Sequence, residues 1–194
     1  MTDYRITFPT TEDVIRELRA GDSVTVDGHV IGIRDRTQIR IFDHGQRPRM
    51  DLAGALLLHT APNVRKLADG RYEKLCIGTT TSARMVRFTE PLGREYGVRA
   101  VCGKGGLPDE AIEPMRHLGM VYFAIVGGAA ALETTQIEEI EEVELEDLMP
   151  ECLWKFRVKD FGPLTVGIDS HGRSLYHDVQ EAARKRLEEL YARL

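Results

Sequence analysis

Three cysteines in 194 residues, none close to another, give this chain no material for a disulfide framework. Cys76, Cys102 and Cys152 form an odd, widely spaced set, which points to a reducing compartment. Three thiolates are also enough to ligate a metal centre. However, Cys76 and Cys102 lie in the apolar stretches KLCIG and RAVCG, which read as buried strands, and free cysteine often serves there as a small core residue. Long apolar runs are missing too. Met120 to Leu132, the longest, is interrupted by two glycines and is too short to span a bilayer. The opening MTDYRITFPTTED lacks a basic stretch before an apolar core, so no secretion signal is expected and the chain reads as cytoplasmic. Positive charge is not in excess: the formal net charge is −5, which argues against nucleic acid as the partner, since phosphate neutralisation needs clustered Lys and Arg. Internal repeats and low-complexity linkers are absent as well.

Familiar catalytic signatures are also lacking. GKGG (103–106) resembles a phosphate loop, but Val98 stands where GxxxxGK needs its first glycine and Gly105 follows the lysine. The same stretch lacks the third glycine of a dinucleotide fingerprint. The six histidines show no metal-ligand spacing, and Ser82 and Ser174 have no nucleophile-elbow context.

What is present suggests one domain over 1–194, with 42% hydrophobic residues to form its core. Thr10 or Thr11 can cap a short helix through Leu18, with Gly21 as its stop. Ser23–Val26 and His29–Ile33 read as a hairpin about Asp27-Gly28. A short helix is expected from Asp35 to Phe42 and a buried strand in GALLLHTAP (54–62). From Leu75 the pattern becomes β-α-β-α-β-α: strand 75–78, helix 82–96, strand 98–102, helix 108–118, strand 120–126 and a helix near 129–139. This alternation implies a parallel sheet with right-handed crossovers. The alternation in EVELEDL predicts an edge strand over 142–148 with a solvated acidic face. Strands follow in WKFRVKDF, LTVGID and SLYH. A last helix from about Val179 carries Ala183, Leu187, Leu190, Tyr191 and Leu194 on one stripe. The N- and C-terminal strands are expected to form a second sheet or barrel-like layer.

In parallel α/β sheets, ligands bind beyond the carboxyl ends of the strands. Two unusual segments fall at such ends: Gly78-Thr79-Thr80-Thr81-Ser82-Ala83-Arg84, and Gly103-Lys104-Gly105-Gly106. Side by side they would form an anion pocket of amides, hydroxyls, Arg84 and Lys104, and the fork of an arginine suits a carboxylate. Arg34, at the end of a third strand, supplies a second guanidinium, which fits a dicarboxylate. The plainer alternative is that the threonines cap a helix and Arg84 is a surface pair.

Gly-Thr-Thr-Thr-Ser-Ala-Arg-Met (78–85) resembles the Gly-x-Thr-Thr-x-x-Arg-Met signature of class I fumarases and L-tartrate dehydratases. The resemblance runs from GDSVTVDGHVIGIRD (21–35) through GKGG to LWKFRVKDFGPLTVGIDSHG (153–172), and the chain looks like their β subunit. It implies an α/β fold of the swivelling β/β/α type: three layers with a partly parallel central sheet. It further implies a hydro-lyase, most simply one interconverting fumarate and malate, with L-tartrate dehydratase as the alternative and a non-catalytic dicarboxylate-binding module as a third reading. The [4Fe-4S] cluster would be held by a partner α subunit, since the cysteines here do not match its ligands. Higher oligomers are left open. Arg34, Arg84 and Lys104 would bind the dicarboxylate, Thr81 would orient it, and Thr80 would transfer a proton together with an aspartate of the partner. Thr79 replaces a proline usual in the family, Val86 an aspartate, and Gln38 a histidine.

Overall fold

Alternating burial along short strands divides the interior into two apolar layers. A computed structural model describes residues 1–128 and 130–192. In order, its elements are β1 (Asp3–Phe8), α1 (Glu12–Glu17), β2 (Ser23–Ile33), α2 (Asp35–Phe42), β3 (Leu56–His59), β4 (Asn63–Lys66), β5 (Tyr72–Cys76), a 3-10 segment (Ala83–Phe88) and α3 (Thr89–Tyr96). Then come β6 (Ala100–Gly103), α4 (Ile112–Leu118), β7 (Val121–Ala124), α5 (Ala130–Gln136), β8 (Ile137–Glu144), β9 (Leu153–Ile168) and α6 (Leu175–Tyr191). Because side chains alternate across a strand, Leu56, Leu58, Cys102 and Phe123 enter one core, while Leu57, Val101 and Tyr122 enter the other beneath α2, α3 and α4. The result is a layered mixed α/β fold on a partly parallel sheet.

That sheet has seven strands in the order β1-β2-β3-β6-β7-β9-β8 among the described residues. β1, β2, β3, β6 and β7 are parallel, and β9 runs antiparallel to its neighbours. β9 also pairs with β2, from Ser23 opposite Thr165 to Gly32 opposite Trp154, so β2, β3, β6, β7 and β9 close into a ring. The terminal strands therefore join the central sheet. They do not form a second one, although the expected barrel-like closure is there.

Several local expectations gave way to tertiary partners. Asp27-Gly28 makes no hairpin: β2 continues through it with a bulge, Gly28 at φ +94° and a Cβ there blocked by the Phe8 carbonyl. Asp27 instead accepts hydrogen bonds from Arg5 (2.6 Å) and the Asp160 amide (2.9 Å), tying β2 to β1 and the bulge of β9. The strand expected at 75–78 is the end of β5, which belongs to a separate two-stranded ribbon with β4, and Cys76 is exposed there. The helix expected over 82–96 is a 3-10 segment followed by α3, and Pro91 falls in the first turn of α3, where its missing N–H costs nothing. α5 stops at Gln136, and the edge strand β8 begins at once, five residues ahead of the expected acidic strand. Its register shifts at two places, and Glu144 turns inward to accept from the Arg49 and Met50 amides at 3.0 and 2.6 Å. SLYH is not a strand: Ser174 caps α6, accepting from the His177 amide at 3.3 Å. Leu187, Leu190 and Tyr191 of the expected apolar stripe are exposed, and Leu194 lies outside the described residues. No described helix is long and apolar enough to cross a membrane.

Candidate active site

The Gly78–Arg84 segment does not leave a strand of the central sheet. It comes off the β4–β5 ribbon and threads between the carboxyl ends of β3 and β6. On the β3 side, the Thr80 amide donates to the His59 carbonyl (2.8 Å), and Thr60 Oγ1 donates to the Gly78 carbonyl (2.6 Å). On the β6 side, the Lys104 amide donates to the Thr80 carbonyl (3.2 Å), and the Ser82 amide to the Lys104 carbonyl (3.0 Å). Lys104 is thereby fixed beside Thr80, Thr81 and Ser82 by main-chain pairing, although the two segments are remote in sequence.

A buried polar chain supports this turn from below. His59 Nδ1 lies 2.9 Å from Ser82 Oγ, and the Tyr122 hydroxyl donates to the same oxygen at 3.0 Å. Burial drives the His59 pKa down to about 3, Asp35 opposing and Arg84 assisting, so the imidazole is neutral. Burial likewise pushes the Tyr122 phenol far up, keeping it a donor. Gly103 is required here, because a Cβ at that position would overlap Ser82 Oγ.

Asp35 gathers the guanidinium groups. Arg84 grips it through two bonds, Nε to Oδ1 at 2.8 Å and Nη2 to Oδ2 at 2.7 Å, while Nη1 donates to the Thr81 carbonyl at 2.7 Å. Arg84 Nη2 is also 3.5 Å from Thr80 Oγ1. Arg34, at the start of α2, places Nε 3.4 Å from Asp35 Oδ2 and 3.9 Å from Glu151 Oε1. Burial pushes the Asp35 carboxyl up, but the hydrogen bonds and charge of Arg84 and the charge of Arg34 outweigh it and hold the group below its ordinary value. Lys104 has no carboxylate within 4 Å among the described residues, and its stem runs past Gly127, where a Cβ would stand 2.5 Å from Cδ. All five expected residues thus converge, with Thr81 and Arg84 exposed and Arg34, Thr80 and Lys104 half-buried.

A family model described as the fumarase C-terminus matches residues 2–179. The chain belongs to the fumarase C-terminus family. It is 38% identical over 174 residues to the L(+)-tartrate dehydratase subunit beta of Escherichia coli strain K12, covering 88% of this chain and 85% of that one. It is 34% identical over 193 residues to a protein of Methanocaldococcus jannaschii provisionally named L(+)-tartrate dehydratase subunit beta, covering 97% and 98%. A Geobacillus stearothermophilus protein, provisionally named a class I fumarate hydratase, is 36% identical over 180 residues; the match takes in 92% of this chain but only 34% of that protein.

Within this fumarase C-terminus chain the three cysteines lie on separate parts of the fold. Cys76 is exposed on β5, Cys102 is buried on β6 and Cys152 is buried before β9. No group of three or more His, Cys, Asp or Glu side chains is arranged to hold a metal ion among the described residues. Sequence reasoning missed Asp35 as the hub of the two arginines, and it missed the His59–Ser82–Tyr122 chain. Asp35 had a signal in being adjacent to Arg34. The buried chain had none, since its members come from three separate elements.

Proposed function

We propose that this chain is the substrate-clamping half of an iron–sulfur hydro-lyase, adding or removing water across a four-carbon dicarboxylate, with fumarate and malate as the leading pair. The observation that carries the reading is the Thr80–Lys104 main-chain bond, which joins the hydroxyl segment and the unpaired cation in one site (3.2 Å). Arg34, Arg84 and Lys104 bind the carboxylates, and Thr81 orients the substrate. The cluster, held by a partner α subunit, supplies a Lewis acid for the departing or entering hydroxyl. Thr80 moves the proton at carbon. A threonine hydroxyl is a weak acid, so it needs help on both sides: a carboxylate from the partner to take its proton, and the Arg84 guanidinium at 3.5 Å to favour the developing alkoxide. The cations also stabilise the substrate carboxylate as it takes up charge after proton loss.

L-tartrate is the second reading, favoured by the near full-length match to two proteins bearing that name. A non-catalytic dicarboxylate-binding module would keep the clamp but turn nothing over. Anaerobic co-expression with a cluster-bearing α subunit, followed by assays on fumarate, malate and tartrate, separates the three. Turnover of one substrate supports the hydro-lyase reading and names its substrate, whereas dicarboxylate binding without turnover supports the module.

A further inference from the structure

One buried charge-bearing group beside the clamp lacks a hydrogen-bond partner among the described residues. Glu133, on α5, is 4% exposed, and neither carboxylate oxygen accepts a hydrogen bond among the described residues. Its neighbour Thr134 accepts from the Ile77 amide at 2.7 Å, which presses α5 against the start of the Gly78–Arg84 segment. The Thr79 amide faces the Glu133 carboxyl group without completing a bond, and the Lys104 charge acts on it from the other segment. Gly127, against which Lys104 packs, belongs to the connection that leads into α5. The same short region therefore shapes Lys104 twice, once by contact and once by charge.

We propose that Glu133 is a positioning residue for the anion clamp, acting through Lys104 and the Thr79 turn, and that it must carry a proton when a dicarboxylate is bound. This rests on the dicarboxylate reading of the site. An ionised Glu133 behind Lys104 offsets the ammonium charge and repels an incoming dianion. A protonated Glu133 leaves the Lys104 charge whole and removes the repulsion. Burial raises its pKa to about 7, with the Thr79 amide and Lys104 only partly opposing, so both forms are populated near neutrality. The surrounding groups leave the titration to Glu133. The Cys102 thiol of β6 is held protonated by burial and by Glu133 itself. Lys74 of β5 donates to the Thr134 carbonyl at 3.0 Å. Towards β9, the neutral Gln136 amide bonds Gly162.

The consequence is that dicarboxylate binding takes up a proton. In the complex with the α subunit, KM of the wild type should rise about tenfold from pH 6 to pH 8 with kcat little changed, as one obligatory proton near pH 7 requires. Glu133→Gln, which keeps the shape and cannot ionise, should hold KM low and flat over that range. Carbon-13 NMR of glutamate-labelled full chain should place one carboxyl midpoint near 7, moving upward on addition of succinate. A Glu133→Gln enzyme that retains the pH-dependent rise in KM overturns the proposal, as does a Glu133 midpoint in the ordinary glutamate range or one that succinate leaves unmoved. If the wild-type complex turns over no dicarboxylate, the hydro-lyase reading falls instead, and the succinate titration still decides the role of Glu133.

Discussion

Arg84 holds Asp35 through one edge of its guanidinium, Nε and Nη2 at 2.8 and 2.7 Å, so the arginine is oriented before any ligand arrives. An exposed ion pair of this kind contributes about 0–1 kcal/mol to stability, but a fixed guanidinium is a strong carboxylate ligand. Arg84→Met in the assembled enzyme should cost about 3–5 kcal/mol in kcat/KM while the melting temperature barely shifts. Near-normal kinetics, or gross unfolding, would reassign Arg84 to a structural pair.

Thr80 differs from its neighbours in having a hydroxyl within reach of Arg84. Thr80→Val should leave KM nearly unchanged and lower kcat about 100-fold or more. Thr81, exposed at the rim, should act on KM when changed to Val. Normal turnover by Thr80→Val moves the proton-transfer role elsewhere, with Thr81 the first residue to test.

Ser82 is the middle of the buried His59–Ser82–Tyr122 chain. Ser82→Ala leaves two buried polar groups unpaired and should destabilise the fold by about 1–3 kcal/mol in urea titrations. Ser82→Cys, larger and a weak donor, should not restore it. A stability unchanged by Ser82→Ala would show that the chain does not hold the turn.

Glu133 also leaves a signature in stability. Its folded pKa is raised, to about 7, above the ordinary 4.5, so the folded state keeps a proton that the unfolded chain has lost. Wild-type stability should therefore fall as pH rises from about 4.5 to 7 and stay lowered above that. Glu133→Gln lacks this loss. It should match the wild type at pH 4 and exceed it at pH 8 by roughly 1–3 kcal/mol. Equal urea midpoints at pH 8 would contradict an internal, unpaired carboxylate.

The helical half was legible because its punctuation is local. Gly97 and Gly119 stop α3 and α4 in left-handed conformations, at φ +65° and +61°, as a glycine after an amphipathic run leads one to expect. The cationic site was legible through its motifs, since Thr80, Arg84 and Lys104 sit in unusual glycine- and threonine-rich turns. Asp27-Gly28 was misleading, because the same dipeptide suits a hairpin or a bulge and β9 decides between them. The β4–β5 ribbon carries NVRK and YEKLC, which lack the alternation that marks a half-buried strand, and Cys76 was misplaced with it. Glu133 drew no notice as one residue of the helix expected near 129–139. Only the packing of α5 against the Ile77 strand end turns it inward.

Closure of the sheet by β9 makes the order of synthesis matter. β2 emerges early, yet the edge it offers to β9 stays open until Leu153–Ile168 leaves the ribosome. Most of the chain must wait, with Trp154, Phe156 and Phe161 still missing from the core that Phe8 and Val24 begin. Such long-range pairing slows folding and leaves an adhesive strand edge exposed to other nascent chains. A chain cut before Leu153 should accordingly be recovered in aggregates, even though every proposed clamp residue lies upstream of the cut.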